Sequence, residues 1–186
     1  MKMSLSDLSS PMGAMLLVTD AHGRVRALEF AERRSRLHRN VREQYGDCEL
    51  IAGPAPAEIS GALRRYFAGE LQALDGMEVV TAGTEQQERA WTELRRIPAG
   101  QTITYGALGK AMGIGDWRAA VDAGAAVGAN PVAIIVPCHR VLGTNGDLKG
   151  YAWGLHRKRW LLEHEKALEP RDSEPRTATL PQWHHN

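Results

Sequence analysis

Cysteine is scarce in this sequence, and neither long apolar runs nor an excess charge of one sign is present. The chain has 186 residues, two cysteines, 43% hydrophobic residues, and 23 Lys+Arg against 22 Asp+Glu. No apolar run approaches the roughly 20 residues of a membrane-spanning helix, and no signal-peptide core follows Met1. We therefore expect a globular cytoplasmic protein without a membrane partner. Because the charges balance, any contact with nucleic acid must be local.

The two cysteines, Cys48 and Cys138, lie in very different settings. A cytoplasmic protein is expected to keep them as free thiols rather than as a disulfide. No spacing of Cys and His resembles a zinc site, so we expect no structural metal.

The N-terminal part of the chain predicts a small α/β domain with an antiparallel sheet. Two apolar stretches flank a turn at Asp20 to Gly23 and indicate a β-hairpin. Charged helix-forming residues predict a helix over 32–43, and a second helix is expected over 57–67, ending near Gly69. The segment 51–58 is predicted to be irregular, and 71–80 is predicted to be extended.

From Thr84 onward the pattern is mostly helical. Helices are predicted over 85–96, over 105–112 with Thr104 as the N-cap, over 117–129 with Asp116 as the N-cap, and over 156–168. The apolar run 132–136 predicts a buried extended segment, and the glycines of 142–151 indicate a loop. The fold class is therefore α+β (α/β), with domains at 1–82 and 83–170 and a flexible tail at 171–186.

Two short helices joined by the glycines at 113–115 predict a helix-turn-helix in the second domain. The second helix is rich in small residues, among them Ala119 and Ala123. One interpretation is close packing against a neighbouring helix. The other is entry into a narrow minor groove, where bulky side chains would collide with the sugars.

The segment Val136-Pro137-Cys138-His139-Arg140-Val141 holds the strongest chemical signal. A free thiol has a pKa of roughly 8.5, so a thiolate near neutral pH needs ionisable or cationic neighbours such as those that follow Cys138. His139 is a candidate base, with a bridging water as the route from the thiol. Glu165 is the candidate third member that orients the histidine.

In this order, the residues resemble the O6-alkylguanine-DNA alkyltransferases, which are methylated-DNA–protein-cysteine methyltransferases. The resemblance covers most of the chain and rests on these segments: Ser10 to Gly13, Tyr66 to Leu71, Trp91, Ile97 to Thr102, Tyr105-Gly106, Asn130-Pro131, Pro137 to Val141, Gly146, Gly150-Tyr151, Gly154, Lys158, Leu161-Leu162 and Glu165.

The resemblance implies a DNA repair enzyme that moves an alkyl group from guanine O6 to Cys138 in one irreversible turnover. Cys138, a water, His139 and Glu165 would supply the thiolate. Tyr105 would help to turn the nucleotide out of the stack, and Asn130 would brace the site. No cofactor is needed because the DNA is the alkyl donor. The expected partner is double-stranded DNA with O6-alkylguanine, or alternatively O4-alkylthymine, and the expected state is a monomer.

The resemblance also implies a substrate pocket and a DNA-binding surface. The predicted pocket residues are Val141, Tyr151, Ala152 and Trp153, and the predicted DNA-binding residues are Arg118, Tyr105, Ala119, Ala123 and Arg140.

The recognition helix departs from the family pattern. The family usually has an arginine there that fills the gap left by the flipped base, but the family's spacing counted back from Asn130 lands on Val121. Either this arginine is missing or Arg118, three residues earlier, replaces it. Asp122 adds a negative charge that should weaken binding to phosphates.

Two alternative functions stay open at this point. One is a protein that recognises alkylated DNA with weak or altered transfer, because the recognition helix is unusual. The other is a cysteine hydrolase, for which no oxyanion hole is evident.

Overall fold

The structure is a computed structural model that describes residues 1–170, so the predicted tail at 171–186 lies outside the described residues. The chain divides into two compact units, the first of which contains Met1–Thr84 together with Pro131–Ile135. The second contains Glu85–Asn130 and the chain from Val136 onward. The domain limits of the sequence analysis stay a prediction. No helix among residues 1–170 is long and apolar enough to cross a membrane.

The first unit contains a four-stranded sheet with the strand order β3-β2-β1-β4. Its strands are β1 (Lys2–Leu8), β2 (Met15–Thr19), β3 (Val25–Phe30) and β4 (Glu49–Ala52). β2 pairs antiparallel with both β1 and β3, whereas β4 pairs parallel with β1. The predicted hairpin at Asp20 is confirmed, and the fourth strand makes the sheet mixed.

The strands β1 and β4 were not predicted, for different reasons. β1 carries Ser4, Ser6 and Asp7, which interrupt the alternation that marks a half-buried strand. β4 is exposed or half-buried along its whole length and enters the segment predicted to be irregular. Its extended conformation follows from pairing with β1, since Leu50 lies opposite Met3.

Two helices cover this unit. The first, α1 (Arg34–Tyr45), begins two residues after the predicted start because a short 3-10 turn at Ala31–Arg33 precedes it. Leu37 and Val41 lie four residues apart on its buried face. They pack in the core with Met3, Leu16, Val18 and Ala27.

The second helix, α2 (Ala57–Phe67), has the predicted bounds. It ends in a Schellman motif, in which the N–H groups of Gly69 and Glu70 donate to the carbonyls of Tyr66 and Arg65. Gly69 has a φ of 111°, a conformation that favours glycine. The predicted end of the helix is therefore confirmed.

The extended segment predicted at 71–80 is mostly wrong. Residues 70–76 form successive turns, with N–H groups of Ala73, Asp75 and Met77 donating to carbonyls three residues earlier. Leu74 anchors the turns in the core. Only Val79 is extended, where it bridges to Val25.

The second unit is mostly helical, as predicted. Its elements are α3 (Glu85–Leu94), β5 (Ile103–Thr104), α4 (Tyr105–Ala111), α5 (Ala119–Gly128), β6 (Val141–Leu142) and α6 (Leu155–His164). Thr104 caps α4 as predicted, because its hydroxyl accepts a hydrogen bond from the N–H of Ala107 at 3.1 Å.

Three local predictions for the second half of the chain were wrong. Asp116 does not cap α5; its carboxylate binds Arg118, and α5 begins two residues later than predicted. The last helix ends at His164 rather than at residue 168. The run 132–136 is buried but not extended, since Ile134 has a φ of 69° and the N–H of Ile135 donates to Ala133 in a three-residue turn.

Candidate active site

Cys138 lies at the first position of a one-turn 3-10 helix, Cys138–Arg140. Pro137, with φ −83° and ψ 64°, forms an inverse γ-turn, and the N–H of Cys138 donates to the carbonyl of Val136 at 2.8 Å. Proline fixes φ near the value that this turn needs. The thiol residue is only 2% exposed, so the backbone holds it inside the protein.

Asn130 connects the thiol to this turn. Its Nδ2 donates to the carbonyl of Val136 at 2.9 Å and to the Sγ of Cys138 at 3.2 Å. Because a carbonyl can only accept, the amide must present its NH2 group on this side. Asn130 is fully buried, so it is a fixed hydrogen-bond donor to the sulfur atom.

His139 and Glu165 form a buried pair, with 2.9 Å between Nε2 and Oε2. A carboxylate can only accept, so the histidine carries its proton on Nε2 and leaves Nδ1 as an acceptor. Nδ1 is buried without a hydrogen-bond partner among residues 1–170. Glu165 therefore holds Nε2 in place, and Nδ1 can accept a proton.

Arg140 binds the same carboxylate from the other side. Its Nε and Nη2 atoms donate to Oε1 and Oε2 of Glu165 at 2.8 and 2.7 Å, and its Nη1 donates to the carbonyl of Ile97 at 2.6 Å. This is the two-pronged pairing that the planar guanidinium favours with a carboxylate. Glu165 is therefore held by two residues of the cysteine motif.

These contacts set the protonation states of His139 and Glu165. Burial lowers the pKa of His139, so the imidazole is neutral at neutral pH. Burial by itself would raise the pKa of Glu165, but His139 and Arg140 outweigh it and hold that pKa well below its usual range. Since arginine is always charged, we attribute the ionised state of Glu165 chiefly to Arg140.

Tyr105 is brought to this site by strand pairing. β5 runs parallel to β6, with Ile103 opposite Val141 and Thr104 opposite Leu142. Tyr105 follows β5 directly as the first residue of α4. Burial raises the pKa of Tyr105, and the negative charge of the Cys138 thiolate raises it further, so the phenol stays protonated.

Lys158 is a fully buried cation at the same site. Its Nζ donates to the carbonyls of Leu148 and Gly150 at 2.5 and 3.1 Å and lies 5.7 Å from the centre of the Tyr105 ring. Burial lowers its pKa to about 8, although the charges of Cys138 and Asp147 oppose that shift. The lysine fixes the loop that precedes Tyr151.

The small residues of α5 divide into two faces. Ala119, Ala123, Ala126 and Val127 are buried, and Trp91 of α3 donates its indole N–H to the carbonyl of Ala126 at 2.9 Å. A side chain at Gly109 of α4 would collide with the backbone of Ala119. Helix packing therefore explains the buried face, and the exposed face is left smooth.

Comparisons with known proteins identify the family. Residues 85–167 match the family described as 6-O-methylguanine DNA methyltransferase, DNA binding domain. The methylated-DNA–protein-cysteine methyltransferase of Salmonella typhimurium is 43% identical over 163 residues, covering 87% of this chain and 94% of the relative. The chain belongs to the methylated-DNA–protein-cysteine methyltransferase family. The Mycobacterium tuberculosis homologue is 43% identical over 172 residues, covering 89% of this chain and 93% of that protein.

Solved structures of this methyltransferase family have the same fold. The crystal structure of Mycobacterium tuberculosis OGT in complex with DNA matches with a TM-score of 0.75 and 35% identity, covering 95% of this chain and 98% of that one. The O6-methylguanine methyltransferase of the same organism matches with a TM-score of 0.73 and 36% identity, covering 91% and 96%. The predicted family and fold class are confirmed.

The methyltransferase site brings together four of the five predicted catalytic residues by direct hydrogen bonds. Asn130 contacts Cys138, and His139 contacts Glu165. Tyr105, the fifth, directly follows β5, which pairs with the strand that begins at Val141.

Three of the predicted DNA-binding residues are buried. Ala119 and Ala123 lie on the buried face of α5, so their side chains are not available to a groove. Arg140 is 6% exposed, and its guanidinium is bound to Glu165. Arg118 is exposed but paired with Asp116.

The predicted pocket residues of the methyltransferase also differ in accessibility. Val141 and Trp153 are buried, whereas Tyr151 and Ala152 are half-buried. The Tyr151 and Trp153 rings pack edge to face with centres 5.0 Å apart. Val141 and Trp153 therefore support the site from within.

Sequence reasoning gave no role to Lys158, and it did not find the contact of Arg140 with Glu165. A charged residue close to the cysteine motif suggests a contact with DNA phosphates, and its buried partner lies 25 residues away. The sequence of α6 gave no signal that two of its basic residues, Arg157 and Lys158, are buried.

Proposed function

We propose that the protein repairs O6-alkylguanine in double-stranded DNA by transferring the alkyl group to Cys138 in a single irreversible turnover. The observation that carries this proposal is the buried thiol with Asn130 donating to its sulfur beside the His139–Glu165 pair. The names of the relatives support it, and so does the similarity to an OGT bound to DNA.

The thiolate forms by proton transfer from Cys138 through a water to Nδ1 of His139. Glu165 favours this step because it fixes the proton on Nε2 and stabilises the imidazolium that results. Arg140 keeps the carboxylate ionised and correctly oriented. The donor contact from Asn130 stabilises the negative charge on sulfur.

In the transfer step the Sγ–C bond forms while the C–O6 bond breaks. The electron pair of the broken bond stays on guanine, which takes up the proton that the thiol released. Tyr105, whose phenol is protonated, donates a hydrogen bond to the leaving guanine. The product is a thioether, which none of the groups described around Cys138 among residues 1–170 can cleave, so each molecule acts once.

The depth of the thiol requires the damaged base to leave the helix. Since Cys138 is 2% exposed, a base that remains stacked cannot bring its alkyl carbon in line with the sulfur. Flipping the nucleotide solves this problem and costs a few kcal/mol for unstacking. Tyr151 and Ala152, which are half-buried, are the proposed walls of the pocket that receives the base.

The proposed unit of function is a cytoplasmic monomer. Cys138, His139, Asn130 and Glu165 all come from one chain, so no second copy is needed to complete the site. O6-alkylguanine is the proposed lesion, and O4-alkylthymine is tested beside it.

The test is intact-mass spectrometry after incubation with duplex DNA that contains one O6-methylguanine. We expect a mass gain of one methyl group per protein molecule, with no gain on undamaged DNA. Cys138→Ala must abolish the gain. The matched control is Cys48→Ala, which removes the other free thiol and must leave the gain intact. Folded wild-type protein that binds the lesion without a mass gain would make the protein a reader of alkylated DNA instead.

A further inference from the structure

Two large apolar side chains are exposed at the start of α5, namely Trp117 in the turn that leads into the helix and Val121 in its first turn. Trp117 is 84% exposed and Val121 is 67% exposed, whereas Trp91 and Trp153 are buried. Leaving a side chain as large as tryptophan in water forfeits a few kcal/mol of burial energy. Contiguous exposed apolar residues commonly mark a surface where a partner binds.

The position of these residues relates them to the active site. Val121 and Gly124 lie three residues apart on one side of α5, and Trp117 lies four residues before Val121 in the turn that leads into the helix. A side chain at Gly124 would lie 3.9 Å from the ring of Tyr105. Val121 therefore lies on the side of α5 that leads to Tyr105, and Trp117 lies just before this helix begins.

Arg118 is less suited to insertion between bases. Its Nε and Nη2 atoms contact both carboxylate oxygens of Asp116 at 2.9 to 3.3 Å, and its backbone N–H donates to the same carboxylate. An exposed ion pair is weak, but it neutralises the charge that would attract the guanidinium to DNA. Trp117 has no such restraint to break.

We propose that Trp117, flanked by Val121, inserts into the base stack and occupies the gap that the flipped nucleotide leaves. Apolar wedges separate base steps in several proteins that bind the minor groove, and an indole ring can stack on any base. The smooth exposed face of α5, with Ala120, Ala125 and Gly128, allows the helix to approach the groove closely. This inference rests on the proposed function, because it concerns delivery of the base to Cys138.

The experiment measures single-turnover methyl transfer to Cys138 from duplex DNA and from a single-stranded oligonucleotide with the same lesion. Loss of one stacking contact predicts a rate that is about tenfold lower for Trp117→Ala on duplex DNA. On the single strand, where no gap must be filled, the variant should match the wild type. Trp117→Phe should restore most of the duplex rate because it retains an aromatic ring.

Two further variants complete the test. Arg118→Ala should reduce the duplex rate less than Trp117→Ala does. Ile51→Ala removes an exposed apolar side chain from the first unit and should leave both rates unchanged. The fluorescence of a 2-aminopurine placed beside the lesion should rise on binding of the wild type and rise less with Trp117→Ala.

Several outcomes would overturn the inference. They are an unchanged duplex rate in Trp117→Ala, an equal loss on duplex and single strand, or a larger loss in Arg118→Ala. A change in oligomeric state on replacing Trp117, measured by light scattering, would instead assign the patch to a second copy of the chain. Absence of transfer by the wild type would contradict the proposed function itself.

Discussion

The surroundings of Cys138 and the first turn of α5 belong to the same unit but are built in opposite ways. Around Cys138, polar groups are buried and held by short hydrogen bonds, as in the two-pronged contact of Arg140 with Glu165. Just before α5, Trp117 is open to solvent and Arg118 pairs with Asp116 at the surface. The proposed chemistry depends on atoms fixed in advance, whereas the surface proposed to meet DNA is held by few contacts and carries a different residue type from the family's arginine.

The largest loss of stability and of transfer rate is expected from Glu165→Gln. The change leaves Arg140 buried without its counter-charge, and breaking a buried ion pair in this way costs about 3–5 kcal/mol of unfolding free energy. Transfer should also slow strongly, because the amide no longer stabilises an imidazolium at His139. Denaturant unfolding and single-turnover assays measure both effects.

The control for that variant is Glu163→Gln. Glu163 is partly exposed and 3.8 Å from Arg159, so its loss should change stability by no more than about 1 kcal/mol. Equal losses of stability and transfer rate in the two variants would show that the buried contacts of Glu165 with His139 and Arg140 are not important.

The cluster also predicts the response to acid. The pKa of Glu165 in the folded protein lies below its ordinary value of 4.5. Between these two values the unfolded chain binds more protons than the folded one, so stability falls as the pH falls. The contribution of Glu165 should be complete above about pH 5 and lost progressively below pH 4.5.

Unfolding free energies of wild type and Glu165→Gln from pH 7 to pH 3 measure this contribution. The difference between the two proteins should be largest at pH 7 and shrink as the pH falls. A difference that stays constant over this range would show that the carboxylate does not stabilise the fold through its charge.

A smaller effect is expected from Asn130→Ala. The variant leaves the carbonyl of Val136 and the sulfur of Cys138 without their donor, at a cost of about 1–3 kcal/mol. The transfer rate should fall, and the fall should be greatest at low pH, where the thiolate most needs the donor. Asn40→Ala, another buried asparagine, serves as the control and should leave the rate unchanged.

The smallest effect is expected from Asp122→Asn, at the surface of α5. Removing one half-buried carboxylate near the phosphates should tighten duplex binding by about twofold at low salt and by less at high salt. Fluorescence anisotropy at two salt concentrations measures the change. Asp7→Asn, in an exposed position of β1, should leave affinity unaltered; if it tightens binding equally, net charge rather than position is responsible.

The sequence by itself determined the local features of this protein. The cap at Thr104 and the end of α2 near Gly69 depend on residues within a few positions of one another, and both were predicted. The strand β4 was not, because an exposed four-residue strand has no hydrophobic pattern of its own and forms by pairing with β1.

Only the tertiary structure decided which partners the charged and small residues have. Glu165 and Arg140 are 25 residues apart, and their pairing places both in the interior, where the arginine cannot serve as a phosphate contact. Likewise, small residues lie on several sides of α5, so the sequence does not show which side is buried. The burial of Ala119, and the exposure of Trp117 just before the helix, follow from packing against α3 and α4. Local hydrogen bonds are encoded along the chain, whereas burial is a property of the assembled unit.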